Sequence, residues 1–492
     1  MLKRVLIANR GEIARRVIRS AHELDVQAVS IYSPHDQTAL YVREADEAFR
    51  LNGNLPKESY LDQEQVLWAA KESKADAIHP GYGFLSENAA FSEATARAGI
   101  IFIGPKPETI DALGDKTKAR IIAQRLGVPT PSGTTEALNS WQEAAEVAEK
   151  IGYPILLKAA AGGGGKGMRV VDRKEDLASS LERAKGEALS SFGDDRVYVE
   201  KYITNPRHIE IQVLADSHGN VIHLGERECS IQRRHQKLVE EAPSSVLTPA
   251  LRREMGEAAV ALVKEAQYTG AGTVEFLVDD KGKYYFLEVN TRLQVEHPVT
   301  EFITGLDLVR EQLVIASGGK ISITQDQVEL RGHSIEIRVQ AEDIWSGFMP
   351  SLGTVSYVRH PGGAFVRNDS ALFNGLEVSG FYDSLLSKLI VWDTTRDLAI
   401  KRMKRALEEM KVVGVSTTIP FGSFVMDNET FRRGDLSTAF VEREFSDAIR
   451  DELLSQQRAK SVSSFVTVQD QVDQSRQRRL FVGAEVSTKV FD

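Results

Sequence analysis

Two alternating stretches, Gly272 to Val278 and Lys283 to Asn290, are joined by Asp279, Asp280, Lys281 and Gly282, a strong turn sequence that predicts a β-hairpin. The hairpin sets Glu275 close to Glu288 on adjacent strands. Facing like charges disfavour a sheet unless a cation neutralises them. Magnesium takes one or two carboxylates and draws its other ligands from water and phosphate, which suits these two glutamates with the amide of Asn290 nearby. The competing reading is a solvent-facing edge hairpin. Further on, Glu288, Asn290, Arg292, Gln294 and Glu296 occupy every second position, with Val289, Leu293 and Val295 between them. In an extended chain they share one face about 6 to 7 Å apart, and His297-Pro298 ends the strand. Such a row offers a metal ligand, an anion clamp and a candidate general base.

Upstream, the apolar runs Tyr153 to Lys158 and Met168 to Val171 flank Ala159 to Gly167, AAAGGGGKG. Four consecutive glycines leave backbone amides bare, so a phosphate can lie against them. The loop is no Walker A motif, because Lys166 is followed by Gly167 and the next element is a strand; it suits a lid over a nucleotide. The alternative is a flexible hairpin tip. Lys158 ends the strand before the loop, and Lys116 opens a helix at Asp115; each is a candidate point charge for phosphate, or a solvated lysine. The run Gln232 to Lys237 (QRRHQK) is basic but lacks interleaved aromatics, which favours a small-anion site over nucleic acid. His208 and His235 are candidate nucleotide or phosphate contacts. Cys229 has no Cys-His-Asn setting and reads as a buried or site-flanking thiol.

These residues need scaffolding. Arg4 to Ala8, Ala28 to Tyr32, Asp76 to His79 and Gly99 to Ile103 read as strands alternating with helices, a doubly wound parallel sheet. Its first turn carries one glycine, Gly11, where a dinucleotide fingerprint needs three. A strand-rich region from Ile321 to about Phe445 ends in a helix, Asp397 to Met410. The 492 residues suggest about three domains. A net charge of −9 gives no whole-chain reason to bind nucleic acid or an anionic membrane. One cysteine excludes an internal disulfide and fits a reducing compartment, and no apolar run approaches a membrane span, so a cytoplasmic location is expected.

ANRGEIA at Ala8 to Ala14, AIHPGYGFLSEN at Ala77 to Asn88, GDK at Gly114 to Lys116, the glycine loop, EKY at Glu200 to Tyr202, NPRHIEIQVL at Asn205 to Leu214, ERECSIQRRHQK at Glu226 to Lys237 and EVNTRLQVEHPVTE at Glu288 to Glu301 together resemble biotin carboxylase. The similarity runs in order from about Leu2 to Phe445. It implies an α/β chain with a doubly wound N-terminal domain (1–114), an ATP-grasp domain (115–318) whose glycine-rich lid spans about 131–204, a mixed α+β C-terminal domain (319–445) and a polar extension (446–492).

The resemblance also implies roles. Lys116, Lys158, Met168, Glu200, Lys201, Ile203, His208, Gln232, His235 and Leu277 would line the ATP site, with Gly162, Gly163, Gly164, Gly165, Lys166 and Gly167 closing over the phosphates. Glu275 and Glu288 would hold Mg²⁺ or Mn²⁺ beside Asn290. Lys237, Arg292, Gln294 and the Val295 amide would bind bicarbonate, and Glu296 would deprotonate it. Arg338 would stabilise the biotin enolate, with Tyr82 beside the biotin pocket. Bicarbonate then attacks the γ-phosphate of ATP to give carboxyphosphate, which yields the CO₂ that the enolate takes up. Lys166 stands where some members have arginine, and Ile337 where some have cysteine.

Arg402-Met403-Lys404-Arg405, the nearest text to a biotin-acceptor AMKM, lies in a basic helical stretch and reads as surface. Biotin is therefore expected on a separate carrier or carboxyltransferase chain, with this chain a homodimer in a larger carboxylase. The biotin-carboxylating half of a two-subunit pyruvate carboxylase is slightly favoured over that of an acetyl-CoA carboxylase, and the tail is expected to dock on a partner. Two other classes stay open: another ATP-grasp ligase acting through an acyl-phosphate, and a non-catalytic nucleotide-binding subunit.

Overall fold

The computed structural model describes residues 2–134, 138, 140–159 and 168–455. The glycine loop Gly162–Gly167 with Lys166, and the tail beyond residue 455, lie outside the described residues.

β1 (Arg4–Ile7), β2 (Gln27–Tyr32), β3 (Glu47–Arg50), β4 (Ala77–His79) and β5 (Ile101–Phe102) form a parallel sheet in the order β3-β2-β1-β4-β5. Alternate residues of β1 serve its two faces. Val5 and Ile7 pack with Ile13 and Val17 of the helix Gly11–Glu23, while Leu6 packs with Val66 and Ala69 of the helix Gln63–Glu72. Burial on both faces is what makes these strands nearly continuous apolar runs. The strand order reverses between β1 and β4, so the turns after them open a crevice at the carboxyl ends. Two details depart from expectation. Glu47–Arg50 adds an edge strand whose only two apolar residues sit between charges, too short for its pattern to be read; and Gly99–Ile103 narrows to Ile101–Phe102.

β6 (Ile155–Ala159), β7 (Met168–Val171) and β8 (Val197–Lys201) make a small antiparallel sheet, ordered β7-β6-β8, with the helices Trp141–Ile151 and Leu177–Phe192 packed on its apolar side.

β9 (Arg207–Ala215), β10 (Val221–Arg233), β11 (Gln236–Ala242), β12 (Gly270–Val278), β13 (Tyr284–Asn290), β14 (His333–Gln340), β15 (Val366–Ser370) and β16 (Leu385–Asp393) build one eight-stranded antiparallel sheet, β13-β12-β9-β10-β11-β14-β16-β15. It runs unbroken from strands before residue 318 to strands after it, through β11 paired with β14. Period-two alternation splits each strand. Ile209, Ile211 and Val213 pack against Met255 and Leu262 of the helix Pro249–Glu265, and Ile335, Ile337 and Val339 against the helix Arg396–Glu409. The opposite face carries His208, Glu210, Gln212, Glu336 and Arg338. The turn between β10 and β11 is Arg234-His235, both at positive φ (49° and 64°), the backbone a two-residue hairpin requires.

One expectation is overturned. β13 ends at Asn290, and residues 291–296 leave the sheet, so Glu288 to Glu296 is no extended row. Leu293 turns into the N-terminal core, and Pro298, its φ already suited to a first helical turn, starts the helix His297–Thr304 directly after Glu296.

Candidate functional site

A cavity of about 730 Å³ lies between the crevice of the parallel sheet, the small sheet and the polar face of the large one. All the described candidate residues line it. They are Lys116, Lys158, Met168, Glu200, Lys201, Ile203, His208, Gln232, His235 and Leu277; Glu275, Glu288, Asn290, Lys237, Arg292, Gln294, Val295 and Glu296; and Tyr82 and Arg338.

Glu200 on β8 accepts from Lys158 Nζ at 2.9 Å on one oxygen and from Arg120 on the other. Lys116 follows the helix cap Asp115, whose carboxylate accepts from the amides of Thr117 and Lys118, and its Nζ lies 2.6 Å from Glu288. Burial opposes the charge of Lys116, but Glu288 outweighs it and raises the ammonium pKa.

Glu275 and Glu288 are register partners on β12 and β13. His208 Nε2 is 3.0 Å from Glu275, and burial, which disfavours the imidazolium, is outweighed by that carboxylate, so the pKa of His208 rises. Two carboxylates and the amide oxygen of Asn290, all hard oxygen donors lining one cavity, with Lys237 at Glu275 and Lys116 at Glu288, fit a divalent cation such as Mg²⁺.

Lys237 is the hub. Its Nζ donates to Glu210 Oε2 (2.5 Å), Glu275 Oε1 (2.9 Å) and Glu296 Oε1 (2.6 Å). It reaches the cavity because of a register shift: Gln232 pairs with Lys237 but Ile231 with Val239, so Leu238 is an inserted residue, and Lys237 and Glu240 both face inward. Glu296 also accepts from Arg338 Nη2 at 2.9 Å. Burial alone would raise the Glu296 carboxyl, yet Lys237, Arg338 and Arg227 hold it well below the usual carboxylate range. Arg292 donates to Glu87 Oε2 (2.8 Å), Gln294 Oε1 (2.9 Å) and Asn290 Oδ1 (3.2 Å).

This arrangement clusters cations that can attract an anion and favours an ionised carboxylate, Glu296, among them. Sequence models of the biotin carboxylase N-terminal domain match residues 1–110 and of its C-terminal domain 336–443; between them, the ATP-binding domain of the carbamoyl-phosphate synthase large chain matches 115–324. The chain belongs to the biotin carboxylase family. It is 51% identical over 442 residues to a subunit of the pyruvate carboxylase of Methanothermobacter thermautotrophicus, covering 90% of each chain. It is also 51% identical to the biotin carboxylase of a Nostoc species, covering 89% of this chain and 98% of that one. The biotin carboxylase of Campylobacter jejuni, solved as a β-γ-ATP complex, superposes with a TM-score of 0.88 at 46% identity, over 90% of this chain and 99% of the other. The fold is thus that of a biotin carboxylase, and the protein is an ATP-dependent ligase.

Several residues at this biotin carboxylase site escaped sequence reasoning. Glu210 was available from its alternation with His208 and Gln212 in β9. Arg227 donates to Glu210, Gln212 and Thr300, fully buried beneath them. Glu240, on Arg338, was hidden by the inserted Leu238, which breaks the period. Glu87 lies 205 residues from Arg292, with no local signal joining them.

Proposed function

We propose that this chain carboxylates biotin, using ATP and bicarbonate, on a carrier supplied by a separate polypeptide, with carboxyphosphate as the intermediate. What supports this most is the convergence of Lys237, Glu296 and Arg338: one carboxylate held between a lysine that also binds Glu275 and an arginine that lines the same cavity as Tyr82.

Lys116 and Lys158 offset the phosphate charges. Glu275 and Glu288, with Asn290 beside them, would hold Mg²⁺ or Mn²⁺, which when bound neutralises charge on the transferring phosphoryl group. Lys237, Arg292, Gln294 and the Val295 amide orient bicarbonate toward the γ-phosphate. Glu296 is a weak base while Lys237 and Arg338 are both directed at it; an entering anion shares Lys237 and raises the proton affinity of Glu296 when a proton must be taken. Arg338 then meets the developing biotin enolate. ADP release with bicarbonate, measured with and without free biotin, tests this reading, and absence of biotin stimulation contradicts it.

The larger assembly follows the relatives. We assign the chain to a multi-subunit carboxylase located in the cytoplasm, as a dimer that serves a biotinylated partner, with pyruvate as the first acceptor to test. Among the described residues no helix is long and apolar enough to cross a membrane. One observation favours a second acceptor. The alignment with the propionyl-CoA carboxylase alpha chain of Ruegeria pomeroyi, 46% identical, extends over 98% of this chain and 73% of that one. Turnover of the purified complex with pyruvate against propionyl-CoA separates the two.

A further inference from the structure

Glu240 on β11 and Glu336 on β14 are register partners, both fully buried, on the sheet face that carries Arg338. Three of their four carboxylate oxygens, Glu240 Oε2 and both oxygens of Glu336, have no hydrogen-bond partner among the described residues. The fourth, Glu240 Oε1, accepts from Arg338 Nε at 2.6 Å and lies 2.5 Å from Nη2, which also donates to Glu296 Oε2 at 2.9 Å.

The groups around Glu336 come from every neighbouring element. Arg338 stands on its own strand, Glu240 on β11, Lys388 on β16, Glu296 and His297 at the start of the helix on this face, and Tyr82 after β4. Lys388 is engaged elsewhere: its Nζ donates to the Val295 carbonyl at 2.9 Å and lies 3.3 Å from Glu12 and 4.0 Å from Asp369. Burial and Lys388 keep His297 uncharged. Lys237 and Glu296 act on Glu240 from the cavity side, with opposite signs. Two ionised carboxylates opposed across one ladder, with Arg338 bound to only one of them, are strongly disfavoured, and such a pair favours keeping one proton. Burial, outweighing Lys388 and reinforced by Glu240, pushes the Glu336 carboxyl well up; burial pushes Glu240 to about 7 against the pull of Arg338.

We propose that Glu240 and Glu336 hold one proton between them and act as a positioning pair for Arg338, with Glu240 the single anion that anchors Nε and neutral Glu336 behind it. Nη2 then stays turned toward Glu296 and the reacting biotin. This rests on the reading of Arg338 as the residue that meets the biotin enolate. Loss of the shared proton puts a second anion beside Arg338, which competes with the enolate for its charge.

The test measures ADP release against pH, with bicarbonate alone and with free biotin added, for the wild type, Glu336→Gln, Glu336→Asp and Glu240→Gln. In the wild type and Glu336→Asp the biotin-dependent rate falls on the alkaline side, and in Glu336→Gln that fall moves to higher pH or vanishes. Glu240→Gln loses the anchor, and the biotin-dependent rate falls about tenfold or more and by a larger factor than the biotin-independent rate. A Glu336→Gln profile that superposes on the wild type, or a Glu240→Gln that lowers both rates equally, overturns the pair. If Glu336→Gln does not fold, Glu240→Gln decides alone. A wild type without biotin stimulation overturns the functional reading and the pair with it, whereas stimulation with superposed profiles overturns only the pair.

Discussion

Glu275 and Glu288 face each other across β12 and β13, yet each is held by a different lysine: Glu275 by Lys237 at 2.9 Å and Glu288 by Lys116 at 2.6 Å. The hairpin therefore keeps two negative charges side by side, balanced by cations that nucleotide and bicarbonate also attract. Replacing Glu288 by Gln removes one metal carboxylate without changing shape. The expected result is an Mg²⁺ requirement raised about tenfold or more in an ADP-release titration; an unchanged requirement contradicts the metal assignment.

Glu296 stands between Lys237 and Arg338 as the candidate base. Glu296→Gln keeps hydrogen-bonding ability and loses the proton acceptor, so turnover is expected to fall by about 10²- to 10⁴-fold while equilibrium ATP binding is nearly unchanged. An active variant excludes the role.

Lys388 is fully buried on β16, where it joins the Val295 carbonyl to Glu12. Lys388→Met leaves the Val295 carbonyl without its donor and Glu12 without its cation; burial already pushes the Glu12 carboxyl up against the pull of Lys388, so proton uptake limits the loss, which is about 1–3 kcal/mol. Denaturant unfolding of the two proteins at neutral pH measures it, and a difference within experimental error contradicts the account.

Glu241 tests the electrostatics away from the cavity. It accepts from His333 at 2.8 Å and Arg396 at 2.7 Å; burial raises its carboxyl, but these partners win and hold it at about 2, against an ordinary 4.5. A depressed carboxylate contributes stability that is complete above the unfolded value of 4.5 and is lost as pH falls toward 2. That contribution is about 3 kcal/mol. Glu241→Gln is expected to be destabilised at pH 7, with the gap to the wild type narrowing below about pH 4.5; a gap independent of pH contradicts it.

Much of the site was legible because its residues sit in local patterns. The turn Asp279–Gly282 set the hairpin, strand alternation on either side of it brought Glu275 opposite Glu288 with Asn290 beside them, and the cap at Asp115 marked the helix that Lys116 opens. What the sequence did not show is what breaks a period or crosses the chain. The residue inserted at Leu238 brings Lys237 and Glu240 to one face, Leu293 pulls the chain out of the sheet before Glu296, and Glu87 meets Arg292 only through the packing of the N-terminal crevice on the large sheet. The continuity of that sheet past residue 318 was equally invisible, since pairing between β11 and β14 spans about a hundred residues of intervening chain.

The most direct measurement is ADP release by the purified chain with ATP, Mg²⁺ and bicarbonate, before and after free biotin is added. The predicted result is a slow bicarbonate-dependent rate that biotin stimulates, with stimulation abolished in Glu296→Gln. A rate indifferent to biotin, or one independent of bicarbonate, would contradict it.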